Sequence, residues 1–342
     1  MDGAIVLEWV LKSVVLLLIM TGGFAYLTFY ERKALARLQV RIGPNRAGPG
    51  GWLQPIADGI KLIFKEELIP AQADKLIFLV APIITTVPAW IILGVLPFGP
   101  TVNLFGRQVD LSVAGNLNVG LLYITAITSI SVYGIVLAGW SSNNKYATMG
   151  GIRSSAQMIS YELALGLAFV TPIMLAGSMR VSEIIRVQVE NGFLGWLGYL
   201  AAQPLAPIIF MVASLAEVNR SPFDMPEAEQ ELASGYHVEY SGMKFALFFM
   251  AEYVKMIAVS MIGATLFFGG YYGPFVEQLP ILGPFYLLLK VAALLFGMIW
   301  IRATLPRIRY DRLMTFGWKI MLPAGLVGVM FTAVVILVFG GK

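Results

Sequence analysis

Eight runs of about 20 mostly apolar residues dominate this chain, at approximately 5–29, 76–98, 117–140, 157–177, 199–217, 243–268, 284–303 and 317–339. The hydrocarbon core of a bilayer is crossed by about 20 helical residues. With no water there to bond the backbone, only helices and closed barrels can span it. These runs are continuous rather than alternating, which excludes an outer-membrane barrel. The expected fold is therefore an all-α integral membrane protein, one transmembrane domain of about eight transmembrane helices plus an interfacial amphipathic helix. Composition agrees, since only 13% of residues are charged against about 25% in soluble domains. Glu8 and Lys12 flank the start of the first run and no small-residue cleavage site follows, so it reads as a retained span. Pro82, Pro88, Pro172, Pro207 and Pro323 fall inside runs, where neighbouring groups can satisfy a freed carbonyl.

The net charge of +4 does not point to nucleic acid, because the basic residues are grouped in loops between apolar runs. Arg32, Lys33, Arg37, Arg41, Arg46, Lys61, Lys65 and Lys75 follow the first run, Lys145 and Arg153 the third, Arg220 and Lys244 the fifth. Arg302, Arg307, Arg309, Arg312 and Lys319 surround the last loop, while Arg107, Arg180, Arg186 and Lys342 fall on the opposite side. The positive-inside rule then puts the odd-to-even loops in the cytoplasm and both termini outside. Within the first loop, residues 52–66 form an amphipathic pattern. Leu53, Ile56, Ile60 and Ile63 share one helical face, and Gln54, Asp58, Lys61 and Lys65 share the other. That is the interfacial type of helix, and the simplest reading is a surface helix anchoring the loop.

Glu162, Glu217, Glu252, Lys255 and Lys290 lie inside or at the rim of the apolar runs. An ionisable group at the bilayer centre costs about 2.5–3.5 kcal/mol on insertion scales, so such groups usually face a protein interior or a wet cavity. Glu162 is expected to open the fourth span, and Glu252 and Lys255, spaced i, i+3, to pair. The acids either fix helix packing as interior pairs or form a proton path. Beyond the fifth run, Asp224, Glu227, Glu229 and Glu231 crowd one short segment. Ser221 or Asp224 can cap a helix with Pro226 in its first turn, which accounts for one or two acids. Four neighbouring carboxylates repel and favour shared protons, so the alternatives are a proton relay or switch and a solvated acidic loop. Arg302, Arg307, Arg309, Asp311 and Arg312 read chiefly as topology signal.

The chain has no cysteine and one histidine, His237. That excludes disulfides, thiolate zinc sites, cysteine-ligated iron–sulfur clusters and bis-histidine haem in this chain. His237 reads as a solvated or capping residue. No Walker A sequence, GxGxxG fingerprint or nucleophile motif is present.

The run Glu31-Arg-Lys-Ala-Leu-Ala-Arg-Leu-Gln-Val-Arg-Ile-Gly-Pro-Asn-Arg-Ala-Gly-Pro-Gly-Gly51, followed by Gln-Pro-Ile-Ala-Asp-Gly-Ile-Lys61, resembles the NuoH family, the quinone-site membrane subunit of respiratory complex I. So do Gly-Trp-Ser-Ser-Asn-Asn-Lys-Tyr146, Ser-Tyr-Glu162, Ala-Glu-Val-Asn-Arg-Ser-Pro-Phe-Asp224, Phe-Met-Ala-Glu-Tyr253 and Ile-Arg-Ala-Thr-Leu-Pro-Arg-Ile-Arg-Tyr-Asp311. These long motifs cover nearly the whole chain in order. The resemblance implies a subunit of a proton-translocating NADH:quinone oxidoreductase that forms the quinone chamber with a peripheral subunit. Arg32, Arg41, Asp58, Phe249, Arg302 and Arg307 would line or border the quinone path, and Glu31 sits in the matching loop motif. Glu162, Glu217 and Glu252 would begin a chain of buried acids, and Asp224, Glu227, Glu229 and Glu231 would couple quinone chemistry to it.

Quinone is then the substrate, with no cofactor held covalently or by metal ligands in this chain. Iron–sulfur clusters and FMN would reside in partner subunits, among them the peripheral subunit carrying the terminal cluster; adjacent membrane subunits and the lipid bilayer complete the contacts. A bacterial plasma (inner) membrane is the preferred location, with an organelle inner membrane as the alternative. Ser129 stands where certain family members carry another glutamate, so water held by Ser129, Ser131 and Tyr133 is the expected substitute there. The competing readings are the corresponding subunit of a membrane-bound hydrogenase or other-donor complex, and a standalone proton-coupled transporter.

Overall fold

The computed structural model describes residues 3–104, 107–190, 192, 194–225 and 232–339. The acids Glu227, Glu229 and Glu231, with Pro226, lie outside the described residues.

The first helix, α1 (Gly3–Leu38), runs well past the expected span. Its extension, Glu-Arg-Lys-Ala-Leu-Ala-Arg-Leu, is made of strong helix formers and needs no lipid to remain helical. That carries Glu31 and Arg32 out of the first span on a rigid rod. The amphipathic segment is helical over α2 (Gln54–Phe64), with Pro55 in its first turn. α3 (Lys75–Val95) starts at Asp74, whose carboxylate accepts from the N–H groups of Leu76 and Ile77. A short antiparallel hairpin, β1 (Val102–Leu104) and β2 (Arg107–Val109), precedes α4 (Gly120–Ser141) and is the small departure from an all-helical chain.

The fourth span also starts early. α5 (Lys145–Ala176) is capped by Asn144, whose side chain accepts from the Tyr146 N–H at 2.9 Å. Glu162 therefore lies in mid-helix rather than at the opening of the span. The fifth span is broken. After α6 (Val181–Val189), α7 (Gly195–Ala201) and α8 (Leu205–Glu217) meet at 86°. Pro204 accounts for the break, since it offers no N–H and disfavours the helical region for Gln203. α9 (Gly242–Phe267) and α10 (Leu282–Thr304) follow as long spans. α11 (Tyr310–Phe316) joins α12 (Leu322–Phe339) through a π-helical turn, Gly317–Met321. Among the described residues seven helices are long and apolar enough to cross a membrane, and the bent pair supplies an eighth. The chain is a multi-pass membrane protein.

The bundle centre is formed by α3, α4, α5 and α9, with α8 and α12 against α5 and with α1 and α10 against α9. Thr86 Oγ1 lies 2.7 Å from the Pro82 carbonyl and 3.0 Å from that of Leu247, tying α3 to α9. The outer faces of α1, α10 and α12 expose Leu18, Leu288, Met330 and Leu337, as expected of a lipid- or subunit-facing surface.

A cluster of Phe78, Tyr236, Tyr240 and Phe248 seats the segment after the acidic loop on this bundle. Tyr240 stacks on Phe78 with ring centroids 3.9 Å apart, and burial pushes its phenol up to about 12, so this anchor stays neutral. Gly150 on α5 allows the approach, because a Cβ there would lie 2.7 Å from the Tyr236 backbone nitrogen. Gly150→Ala is expected to cost about 1–3 kcal/mol as an overpacking change. It should lower the yield of folded protein recovered from membranes; an unchanged yield would show that the seat is dispensable.

Candidate functional site

The first loop folds back on the helix that precedes it. Gly51 adopts φ +86°, and a Cβ there would lie 2.3 Å from the Pro44 carbonyl oxygen, so the turn ahead of α2 requires glycine. The turn presents Trp52 to Tyr26 and Phe29 of α1, each ring 5.9 Å away. Arg32 then donates to Asp58 at 2.8 Å, which Gln54 also reaches at 3.1 Å. The polar face of α2 is thereby fixed on α1, while Ile56, Ile60, Ile63 and Phe64 remain exposed.

Beneath this seat is a buried charge cluster. Glu31 is 2% exposed and accepts from Arg302 of α10. The Arg220 guanidinium, on the residue stretch after α8, lies 3.6 Å from Glu31 and 2.6 Å from Glu252 of α9. It also lies over the Tyr253 ring, 4.4 Å from the centroid, a cation–π contact. Tyr253 ends an aromatic ladder with Phe249 and Phe245, spaced i, i+4 along α9, and its ring meets Phe24 of α1 at 6.0 Å. Glu252 is thus held by Arg220 and not by Lys255. The expected i, i+3 pair gives way because a delocalised guanidinium satisfies two carboxylates and an aromatic face at once.

The position of Arg220 follows from how α8 ends. Asn219 takes φ +56°, a conformation tolerated by asparagine. Its N–H bonds to Ala216 O at 3.3 Å and the Arg220 N–H to Leu215 O at 3.1 Å, the two bonds of a Schellman end. Gln157 of α5 donates to Ala216 O at 2.9 Å and to Phe223 O at 2.8 Å, fastening both sides of the turn. Tyr161 reinforces it, with its hydroxyl donating to Leu313 O at 3.1 Å and its ring against Phe223. Asp224 is half-buried in this same turn.

The second group of polar residues lies between helices. Ser129 of α4 is hydrogen-bonded to the Glu162 carboxylate of α5. Ser131 of α4 accepts from Lys255 of α9 at 2.6 Å. Residues two apart on a helix face different sides, so the two hydroxyls serve different neighbours. Tyr133 is 67% exposed and joins neither. Glu217 ends α8 at 3% exposure, and its Oε1 has no hydrogen-bond partner among the described residues. A cavity of about 20 Å³, enough for a water, is lined by Thr85, Glu217, Asn219, Tyr236, Glu252 and Lys255.

Other residues stand apart. Arg41 bonds to Gln39 at 2.7 Å on the exposed end of the loop. Arg307 reaches the Met225 sulfur at 3.6 Å, beside the acidic turn. Arg309 is exposed and pairs with Asp311 at 3.2 Å. Lys290 donates to the carbonyls of Gly270 and Tyr272, fastening a loop on the opposite side of the bundle. His237 is half-buried, with its ring against Phe245 and Tyr236. Among the described residues no group of three or more His, Asp or Glu is arranged to hold a metal.

The sequence profile of the family described as NADH dehydrogenase matches residues 11–333. The chain belongs to that family. It is 51% identical to an NADH-quinone oxidoreductase subunit of Geobacter metallireducens, over 96% of this chain and 95% of the relative. It is 50% identical to the matching NADH-quinone oxidoreductase subunit of Thermomicrobium roseum, over 95% of each. Its identity to NADH-quinone oxidoreductase subunit 8 of Thermus thermophilus is 48%, over 95% of this chain and 86% of that one. These relatives are subunits of an oxidoreductase complex.

Within this family member, the charge cluster draws on four segments far apart in sequence: Glu31, Arg220, Glu252 and Arg302. Arg220 and Gln157 do not stand out in the sequence as site residues. Arg220 reads there as one more topology charge, and Gln157 is only the first residue of an apolar run. The usable signal for Arg220 is Asn219 directly before it, a residue type suited to ending a helix and turning the chain back.

Proposed function

We propose that the chain is the membrane subunit of a proton-translocating NADH:quinone oxidoreductase. In this reading it forms the quinone chamber together with a peripheral partner and passes the effect of quinone reduction to buried carboxylates. The observation that carries the proposal is the buried Glu31–Arg302–Arg220–Glu252 cluster, which lies directly above an aromatic ladder and beside α2. An isoprenoid tail needs an apolar route out of lipid, and a quinone head needs polar donors. Phe249, Phe245 and the lipid-facing side of α2 supply the first, Arg32, Asp58, Arg302 and Arg307 the second. Electrons enter from a partner's iron–sulfur cluster, since this chain has no cysteine. FMN belongs to the partners as well. Negative charge left on the reduced head-group would be felt by the Arg220 cluster and by the acids from Asp224 onward, including Glu227, Glu229 and Glu231. Glu252, Glu217 and Glu162 then convey the proton response toward the adjacent membrane subunits. The family's bacterial relatives favour a plasma membrane location.

The reading is tested in the assembled complex with a photoreactive quinone analogue. Labelling is expected within 52–66 or beside Phe249. Label confined to α10 and α12 would contradict the entry route. In the same preparation Glu217→Gln should pump fewer protons per electron while electron entry is unchanged.

A further inference from the structure

Lys255 has no part in the function so far described, yet it is a buried ammonium. It is 5% exposed, in the middle of α9. A buried ammonium needs partners for three N–H donors. Among the described residues its hydrogen bond is to Ser131 Oγ, at 2.6 Å. Ser131 donates its own proton to Thr128 O at 2.7 Å, so its oxygen is free to accept. None of the described carboxylates forms a salt bridge with Lys255, but three lie close enough to act on it electrostatically: Glu217 from α8, Glu252 from its own helix and Glu162 from α5. Arg220 stands behind Glu252, and α3 contributes Thr85 to the cavity wall. Lys255, Glu217 and Glu252 all line the same small cavity, which has room for a bridging water.

A lysine kept as a fixed counter-charge would be expected to close directly on one of these carboxylates. Here it is held off them by a serine and faces them across a space of water size. An amine is also the one cationic side chain in this cluster able to give up its proton, since a guanidinium does not. We propose that Lys255 carries protons between Glu252 and Glu217 through this cavity; the inference rests on the proton-coupling reading above. In the forward step an N–H bond of the ammonium breaks and an O–H bond forms on the Glu217 carboxylate, leaving a neutral amine. A proton that has reached the Glu252 carboxyl then leaves its oxygen and restores the ammonium. No oxidant or reductant is involved.

The test uses the complete complex in liposomes, with Lys255→Met, Lys255→Arg and Ser131→Ala beside Glu217→Gln. Complex yield on native gels reports assembly, and electron entry is measured with a soluble acceptor. Both lysine variants are expected to lower coupled proton pumping by about a hundredfold or more, the low end for loss of a positioned acid–base group. Arginine keeps the charge and cannot release a proton, so wild-type pumping by Lys255→Arg would overturn the proposal and leave a counter-charge. If the lysine variants fail to assemble, Ser131→Ala decides, because it removes only the hydroxyl that receives the ammonium. A displaced pH–rate profile for pumping supports the carrier, and a profile identical to wild type overturns it. Loss of pumping in Glu217→Gln with normal pumping in Lys255→Arg defeats this inference alone. Normal pumping in Glu217→Gln defeats the proton-coupling reading itself.

Discussion

Arg220→Met is expected to be among the most damaging single substitutions in the chain. Removing one partner from a buried ion pair costs about 3–5 kcal/mol, because the remaining charge stays buried without compensation. Arg220 serves two carboxylates and a ring, so Glu252 and Glu31 both lose its guanidinium, while Glu31 retains its contact with Arg302. Little intact complex should be recovered from membranes, and quinone reductase activity should fall with it. Arg220→Lys keeps the charge but has no fork to reach both Glu31 and Glu252, and its ammonium is a poor stacking partner for Tyr253. It is expected to assemble better than the methionine variant while turning over quinone well below wild type. The measurements are complex yield on native gels and turnover per assembled complex. Wild-type yield and turnover for Arg220→Met would mean that the cluster is not the keystone of this end of the bundle.

Much of this arrangement is legible in the chain itself, for physical reasons. A continuous apolar run announces a span because lipid leaves the backbone no alternative to a helix. Glu162, Glu217 and Glu252 stand out against such runs because a carboxylate there must have a purpose or a partner. The break in the fifth span is less visible. Gln203-Pro204 interrupts an otherwise ordinary apolar stretch, and the 86° bend depends on how the two halves pack. Partners are harder still. Glu252 and Lys255 are natural mates by spacing, yet each is claimed by a residue from another segment, Arg220 and Ser131. Periodicity sees only within an element, whereas a buried charge chooses among everything the fold brings near. The same holds for Gln157, whose importance lies in two carbonyls contributed by residues 216 and 223.

The Ser129–Glu162 pair leads to the other large expected effect. Ser129 has a single hydroxyl proton and two acceptors in reach, Glu162 and the Thr125 carbonyl at 2.9 Å. With Glu162 ionised, the hydroxyl donates to the carboxylate. With Glu162 protonated, the acid donates to Ser129 Oγ, and the hydroxyl turns to Thr125. Both protonation states are therefore hydrogen-bonded without movement of either helix, which is what a group that loads and unloads a proton requires. Glu162→Gln keeps the size and can donate an amide N–H to Ser129, so assembly should survive. It cannot carry a proton, and coupled turnover is expected to fall by a factor on the order of 10². Ser129→Ala removes the partner but keeps the carboxylate, so its loss should be only a few-fold. Pumping per electron in liposomes, scaled to electron entry, separates the cases. A Glu162→Gln complex that pumps normally would reduce this pair to a packing contact between α4 and α5. A Ser129→Ala complex as impaired as Glu162→Gln would instead make the hydroxyl itself an obligatory stop for the proton.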